Sequence, residues 1–325
     1  MRGAEALAFG PVPSRRLGRS LGVNNIPPKT CSYSCVYCQV GRTSNMLVER
    51  RAFYEPAQIL ACVKKKVNEL ASRGEGIDYI TFVPDGEPTL DANLGKEISL
   101  LKDLEIPIAV ITNASLLWRE DVRNDLSEAD LVSLKVDAVS PSLWRRVNRP
   151  HEDLRLDVVL EGVRQFAKSF KGTLVSESML IEGVDYEGEL REMASFLKGL
   201  ARLDKAYIAV PTRPPAEKWV RPAKEEVLNE AFQIFSEALG SDKVGLLIGY
   251  EGNAFAFTGN VKEGLLSITA VHPMREEAVA ELLRKAGADW QVVNELLHHG
   301  ELVKIIYEGK AYYVRRPLKT RQLGL

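Results

Sequence analysis

The stretch Lys29-Thr-Cys-Ser-Tyr-Ser-Cys-Val-Tyr-Cys-Gln-Val-Gly41 places three of the chain's four cysteines within eight residues, spaced C-x3-C-x2-C. Three thiolates brought together by one loop can hold three corners of a [4Fe–4S] cluster, and the fourth iron then stays open to a small molecule. The competing reading is zinc, which in structural sites closes with four Cys or His ligands. Nothing near the loop supplies a fourth: the remaining cysteine is Cys62, and the histidines are His151, His272, His298 and His299. Cys62 falls on the apolar face of the first helical segment, as a small packed residue. Four cysteines, three of them in one window, make no disulfide framework, which points to a reducing cytoplasm.

Working outward from the loop, Ser20–Asn24 is short and β-prone and delivers the chain to the cysteines. A βα alternation follows. Residues 55–73 are helical, with Ile59, Cys62, Val63, Val67 and Leu70 on one face. Strands are expected at 78–83, 106–113, 130–137, 173–181 and 206–211, with helices near 94–104, 119–126, 156–169, 187–201 and 223–239 between and after them. Six strands alternating with helices give a parallel α/β layout. Right-handed crossovers curl such a sheet toward a barrel, although periodicity alone leaves a flat doubly wound sheet open.

In either arrangement the active site forms at the C-terminal ends of the strands. Those ends read Asp85-Gly-Glu87, Thr112-Asn113, Lys135-x-Asp137, Glu177-Ser178 and Thr212-Arg213. Ser133, Lys135 and Asp137 share one strand face, because side chains alternate. A polar face on an otherwise apolar strand is costly unless it lines a site; a buried Lys–Asp ion pair is the structural alternative. Arg213, between prolines at the rim, can clamp a carboxylate or phosphate bidentately. Arg15 and Arg16, ahead of the first strand, are candidates to face a substrate phosphate, or are ordinary surface arginines.

The chain has 325 residues, 45% apolar and 27% charged, with a net charge of −1. That composition suits a soluble globular protein and provides no global attraction to nucleic acid or membrane. No segment has the length needed to span a bilayer, and the N-terminus lacks a signal peptide's apolar run. The charge is uneven: residues 1–51 carry a net +6 and residues 301–325 a net +4. After Gly240 the pattern changes. Lys243–Tyr250 and Ala254–Phe257 read as a hairpin within a 241–267 linker that follows a 1–240 barrel. Residues 268–325 then read as helix, helix and hairpin, the order of a winged-helix unit. Its helical part, 274–300, carries a net −2, whereas wing and tail hold Lys304, Lys310, Arg315, Arg316, Lys319 and Arg321. Docking to a protein and binding of RNA are both open for this unit.

The cysteine spacing, with an aromatic residue (Tyr37) before the third cysteine, resembles the signature of the radical SAM superfamily. That resemblance implies a partial (βα)6 barrel, a [4Fe–4S] cluster on Cys31, Cys35 and Cys38, and S-adenosylmethionine chelated by the open iron. Gly86-Glu87-Pro88 resembles the superfamily's second motif, with Asp85 where a first glycine is frequent. By the same resemblance Tyr37, Gly86, Glu87, Asn113, Ser133, Lys135, Asp137 and Glu177 line the S-adenosylmethionine site, with Arg15, Arg16 and Arg213 on the substrate side. It implies reductive cleavage to a 5′-deoxyadenosyl radical, fed by a flavodoxin- or ferredoxin-type electron donor. Two phrases, Gly10–Asn24 and Ile268–Arg275, resemble an archaeal-type group of these proteins similar to the tRNA wyosine-synthesising enzymes. Those relatives carry additional N-terminal cysteines for a second cluster, and this chain has none before Cys31. A tRNA base, a protein or peptide substrate, and a cluster-based electron carrier or sensor are the readings left open.

Overall fold

The computed structural model describes residues 7–256 and 260–316. Strands β1 (Ala8–Ser14) and β2 (Gly18–Val23) form an antiparallel hairpin, and β2 begins a parallel series. The series continues through β3 (Tyr79–Phe82), β4 (Ile108–Thr112), β5 (Leu131–Lys135), β6 (Thr173–Met179), β7 (Lys205–Ala209) and β8 (Val244–Leu247). These eight strands pair in chain order into one sheet, with β1 and β8 at its two edges. The sheet is therefore an open, partial barrel.

The helices α1 (Pro56–Ala71), α2 (Leu94–Leu101), α3 (Glu120–Ser127), α4 (Pro141–Val147), α5 (Leu156–Ser169), α6 (Glu189–Lys198) and α7 (Glu225–Leu239) connect the strands. Each buries one apolar stripe; on α5 it is Leu156, Val159, Val163, Phe166 and Ala167. Cys62 lies on α1, partly buried against this core. Side chains alternating along the strands put Ala109, Leu131 and Val175 into the lumen, where Leu17 from the β1–β2 turn closes its lower end.

Two sequence expectations are corrected here. The expected hairpin at 243–257 does not form among the described residues: Val244–Leu247 pairs parallel with Ala206–Ala209 as a seventh parallel strand, β8. Its Val-Gly-Leu-Leu run is short and apolar enough to add to an open sheet edge, so the barrel continues past residue 240. Phe257, at the end of that expected hairpin, lies outside the described residues. The strand Ala8–Ser14 was not anticipated, because two prolines disguise it; proline is tolerated there because β1 is an edge.

After β8 the chain returns to β1, where the Ala256 amide donates to the Pro11 carbonyl (3.1 Å). A terminal unit follows in the order α8 (Val261–Val271), β9 (Met274–Arg275), α9 (Glu276–Ala286), α10 (Gln291–His298), β10 (Leu302–Tyr307) and β11 (Lys310–Arg315). Its three strands pair as β9-β11-β10. Asp289 accepts from the Gln291 amide ahead of α10 (2.9 Å), and Glu308-Gly309, both with positive φ, make the tight hairpin turn. The expected basic tail residues Lys319 and Arg321 lie outside the described residues. Phe9 and Val12 of β1 share one apolar cluster with Phe255, Leu265, Met274 and Tyr313, so this unit packs over the barrel's open side.

Candidate active site

The cysteine loop leaves β2 and is stitched down by backbone hydrogen bonds on three sides. Thr30–Cys31 pairs with Asn45–Met46, Val36 N–H donates to Val147 (2.9 Å), and Glu217 N–H donates to Val36 (3.0 Å). Side-chain amides point at two sulfurs: Asn113 Nδ2 lies 3.6 Å from Cys31 Sγ and Asn148 Nδ2 lies 3.5 Å from Cys35 Sγ. Burial raises all three thiols, Cys35 to about 12. Thiols this hard to ionise become thiolates only against bound positive charge, which iron supplies. Among the described residues no three His, Cys, Asp or Glu side chains are grouped to hold a single metal ion. A cubane asks for something else, one thiolate at each of three separate irons, and the loop offers that donor set with amide donors to its sulfurs.

The segment after β3 is locked to this loop. Glu87 N–H donates to the Thr30 carbonyl (3.1 Å) and Lys29 N–H to the Asp85 carbonyl (2.6 Å). A Cβ on Gly86 would stand 1.8 Å from the Thr30 carbonyl oxygen, so only glycine permits this approach. The Glu87 side chain is fully buried, and its own burial raises its pKa against four donors. They are the amides of Thr89 (3.1 Å) and Asn113 (2.7 Å) and the hydroxyls of Thr89 and Thr112 (both 2.6 Å). The Glu87 carboxylate therefore holds Asn113 in place beside Cys31, while the backbone edge at Gly86–Glu87 faces the loop.

A second polar group fills the lumen beside the cysteines. Lys135 Nζ lies 2.9 Å from Glu177 Oε1, 3.6 Å from Asp137 Oδ1 and 4.9 Å over the Tyr37 ring. Asp137 accepts from Met179 N–H (2.8 Å), from Asn148 Nδ2 (2.6 Å) and from the Tyr37 hydroxyl. Arg16 rises from the β1–β2 turn to pair with Glu177 and donates to Ser133 Oγ (3.1 Å). Burial pushes Glu177 up, but Arg16 and Lys135 outweigh it and hold the carboxyl at about 2. Burial likewise lowers Lys135, and Asp137 and Glu177 more than restore it. Ser133, Lys135, Asp137 and Glu177 are thus brought together, with Arg16 joined to them from below.

Arg15 and Arg213 sit apart, at the barrel's open side. Arg15 donates to the Gly249 carbonyl (2.7 Å). Arg213 donates to Gln39 Oε1 (2.8 Å), in the cysteine loop, and pairs with Glu251. Sequence reasoning missed Asn148, Glu217, Glu251 and His272. Asn148 carried no motif; only its register opposite Ser34 and Val36 brings its amide to Cys35. Glu217 is buried between Arg42 (2.9 Å) and Arg149. His272 lay within a phrase already singled out, but nothing local revealed its partners.

Residues 25–197 match the Radical SAM superfamily, and the chain belongs to it. It is an enzyme of that class, with a [4Fe–4S] cluster and S-adenosylmethionine as cofactors. More narrowly, it is 51% identical over 316 residues to a UPF0026 protein of Methanocaldococcus jannaschii, covering 97% of each chain, and it shares that family. The fold is similar to a radical SAM methyltransferase from Sphaerobacter thermophilus (16% identity, 70% of this chain and 66% of that one, TM-score 0.54). It is also similar to TYW1, solved with a lysine-pyruvate adduct (14% identity, 73% and 78% covered, TM-score 0.50). Among the described residues no helix is long and apolar enough to cross a membrane.

Proposed function

We propose that the chain cleaves S-adenosylmethionine reductively and uses the resulting radical on a base of tRNA. Cys31, Cys35 and Cys38 would each hold one iron, with Asn113 and Asn148 donating to two of the sulfurs. The Gly86–Glu87 edge and the polar group of Asn113, Ser133, Lys135, Asp137 and Glu177, with Tyr37, would hold S-adenosylmethionine. When bound, the cluster supplies the electron that breaks a carbon–sulfur bond; the chain supplies position and exclusion of water. An external donor of the flavodoxin or ferredoxin type would refill the cluster.

The observation that carries the RNA reading is Trp219, 46% exposed between Lys218 and Arg221. It sits two residues after Glu217, whose amide binds the cysteine loop and whose carboxylate holds Arg42 and Arg149. An exposed aromatic face among cations is the pattern that stacks unpaired bases and tracks phosphates. The resemblance to wyosine-synthesising enzymes and the basic chain ends agree with it. The order of the terminal unit is that of a winged helix, whose basic wing would extend the same surface.

One observation favours a protein or peptide instead. β10 is an edge strand with Ile306 66% exposed, a template on which a partner strand could pair. The test is anaerobic reconstitution with iron and sulfide, then dithionite and S-adenosylmethionine. The chain should make 5′-deoxyadenosine and a Cys31/Cys35/Cys38 triple alanine variant should not. Retention of tRNA at low salt, weakened by Trp219→Ala, supports the RNA reading; unchanged retention by that variant refutes it.

A further inference from the structure

One group of buried polar atoms without a partner lies outside the cysteine site, where barrel and terminal unit meet. Arg213 Nε, Glu251 Oε2, His272 Nε2, the Tyr250 hydroxyl and Asn253 Oδ1 are all buried and find no hydrogen-bond partner among the described residues. His272 Nε2 is 3.0 Å from Glu251 Oε1 but outside hydrogen-bond geometry, and burial beside Arg213 keeps the imidazole neutral. Native proteins leave few such atoms, and a cluster of them asks for something that belongs there. Arg213, Glu251 and His272 line a cavity of about 140 Å³. Its other walls are β1, the lumen face of β2 to β4 through Ser20, Thr81 and Ile111, and Val271 of the terminal unit. The cavity thus lies in the seam between barrel and terminal unit, and neither alone would enclose it.

Size and charge narrow what could fill it. At about 30 Å³ per water, the space takes roughly five waters, hence a ligand on the order of five to ten non-hydrogen atoms. Three arginines and one carboxylate line it. Arg16 is neutralised by Glu177 and Arg213 by Glu251, which leaves Arg15, exposed at the mouth, without an ion-pair contact among the described residues; it donates to the Gly249 carbonyl and feels Glu177 at longer range. At the inner end Glu251, with its side chain 2% exposed, offers an acceptor oxygen that nothing fills. A ligand matching both ends carries a negative group toward Arg15 and Arg213 and an N–H donor toward Glu251.

We infer that this cavity binds a compact zwitterion of the α-amino-acid type, its amine on Glu251 and its carboxylate on Arg15 and Arg213. This rests on the reading of the lumen as the enzyme's substrate side, but its test needs neither cluster nor S-adenosylmethionine. The full chain is titrated calorimetrically with glycine and L-serine, and with ethanolamine and propionate as the two halves of a zwitterion. Glycine or L-serine should bind at a single site while each half binds at least tenfold more weakly. Glu251→Gln, close to isosteric, and Arg15→Gln, at an exposed position, should each weaken binding about tenfold or more. No binding of either amino acid at 10 mM on the order of a saturating probe overturns the inference. So does propionate binding as well as L-serine, or unchanged binding in both variants. Production of 5′-deoxyadenosine, measured separately, decides the radical reading on its own.

Discussion

Replacing Glu177 by glutamine removes the charge on which Arg16 and Lys135 converge. The carboxyl sits at about 2 against an ordinary 4.5, so its ionised form is favoured in the folded chain by roughly 2.5 pH units. At about 1.4 kcal/mol per unit that is roughly 3–4 kcal/mol. The figure agrees with the roughly 3–5 kcal/mol lost when one partner of a buried pair is removed. Because the folded value is depressed, this stability is present above pH 4.5 and is lost as the pH falls from there toward 2. At pH 7, Glu177→Gln should lower the thermal midpoint by about 5 °C or more, and the gap to the parent should narrow as the pH falls below 4.5. A cycle pairing Arg16→Met with Glu177→Met isolates the interaction: the double variant should be less destabilised than the two single losses summed, by about 1 kcal/mol or more. A midpoint within 1 °C of the parent at pH 7, measured to the usual precision of about 1 °C, would show that Arg16 and Lys135 do not depend on Glu177.

Gly86→Ala should fail to retain iron after reconstitution, since its Cβ would enter the Thr30 carbonyl; iron-to-protein ratio and acid-labile sulfide measure it. Asn148→Ala removes donors to Cys35 Sγ and Asp137, which should cost about 1–3 kcal/mol in unfolding and lower the cluster's midpoint potential in an EPR-monitored titration. Trp219→Ala should weaken tRNA binding by about 1–3 kcal/mol with no change in iron content. A shift in the slope of affinity against salt for Arg42→Gln would place that guanidinium on phosphate, and an unchanged slope would remove it.

Much of the catalytic wall was legible in the chain because it is local. Cys31, Cys35 and Cys38 lie in one loop, and their spacing carries their chemistry. Ser133, Lys135 and Asp137 declare a shared face through strand alternation alone, and Gly86 announces a close approach. Arg16 was legible only as a cation. That it climbs the lumen to Glu177, instead of lying on the surface, depends on an antiparallel β1 that two prolines disguised. The stretch 243–257 read as a hairpin because its apolar runs are short and broken by Glu251-Gly-Asn253. Which neighbour Val244–Leu247 pairs with is settled by a free sheet edge at β7, a fact about the barrel and not about those four residues.

The amino-acid sequence by itself determined the cofactor loop, the βα order and the polar strand ends. Each of these is written in spacings of two to four residues that backbone geometry converts directly into position. Only the tertiary structure decided that Asn148 serves Cys35 and that Glu217 ties two arginines to the cysteine loop. It alone decided that Arg213, Glu251 and His272 close the barrel's open side with the terminal unit. Those partners lie from 21 to 175 residues apart along the chain, and nothing local records a contact made only when two surfaces bury each other.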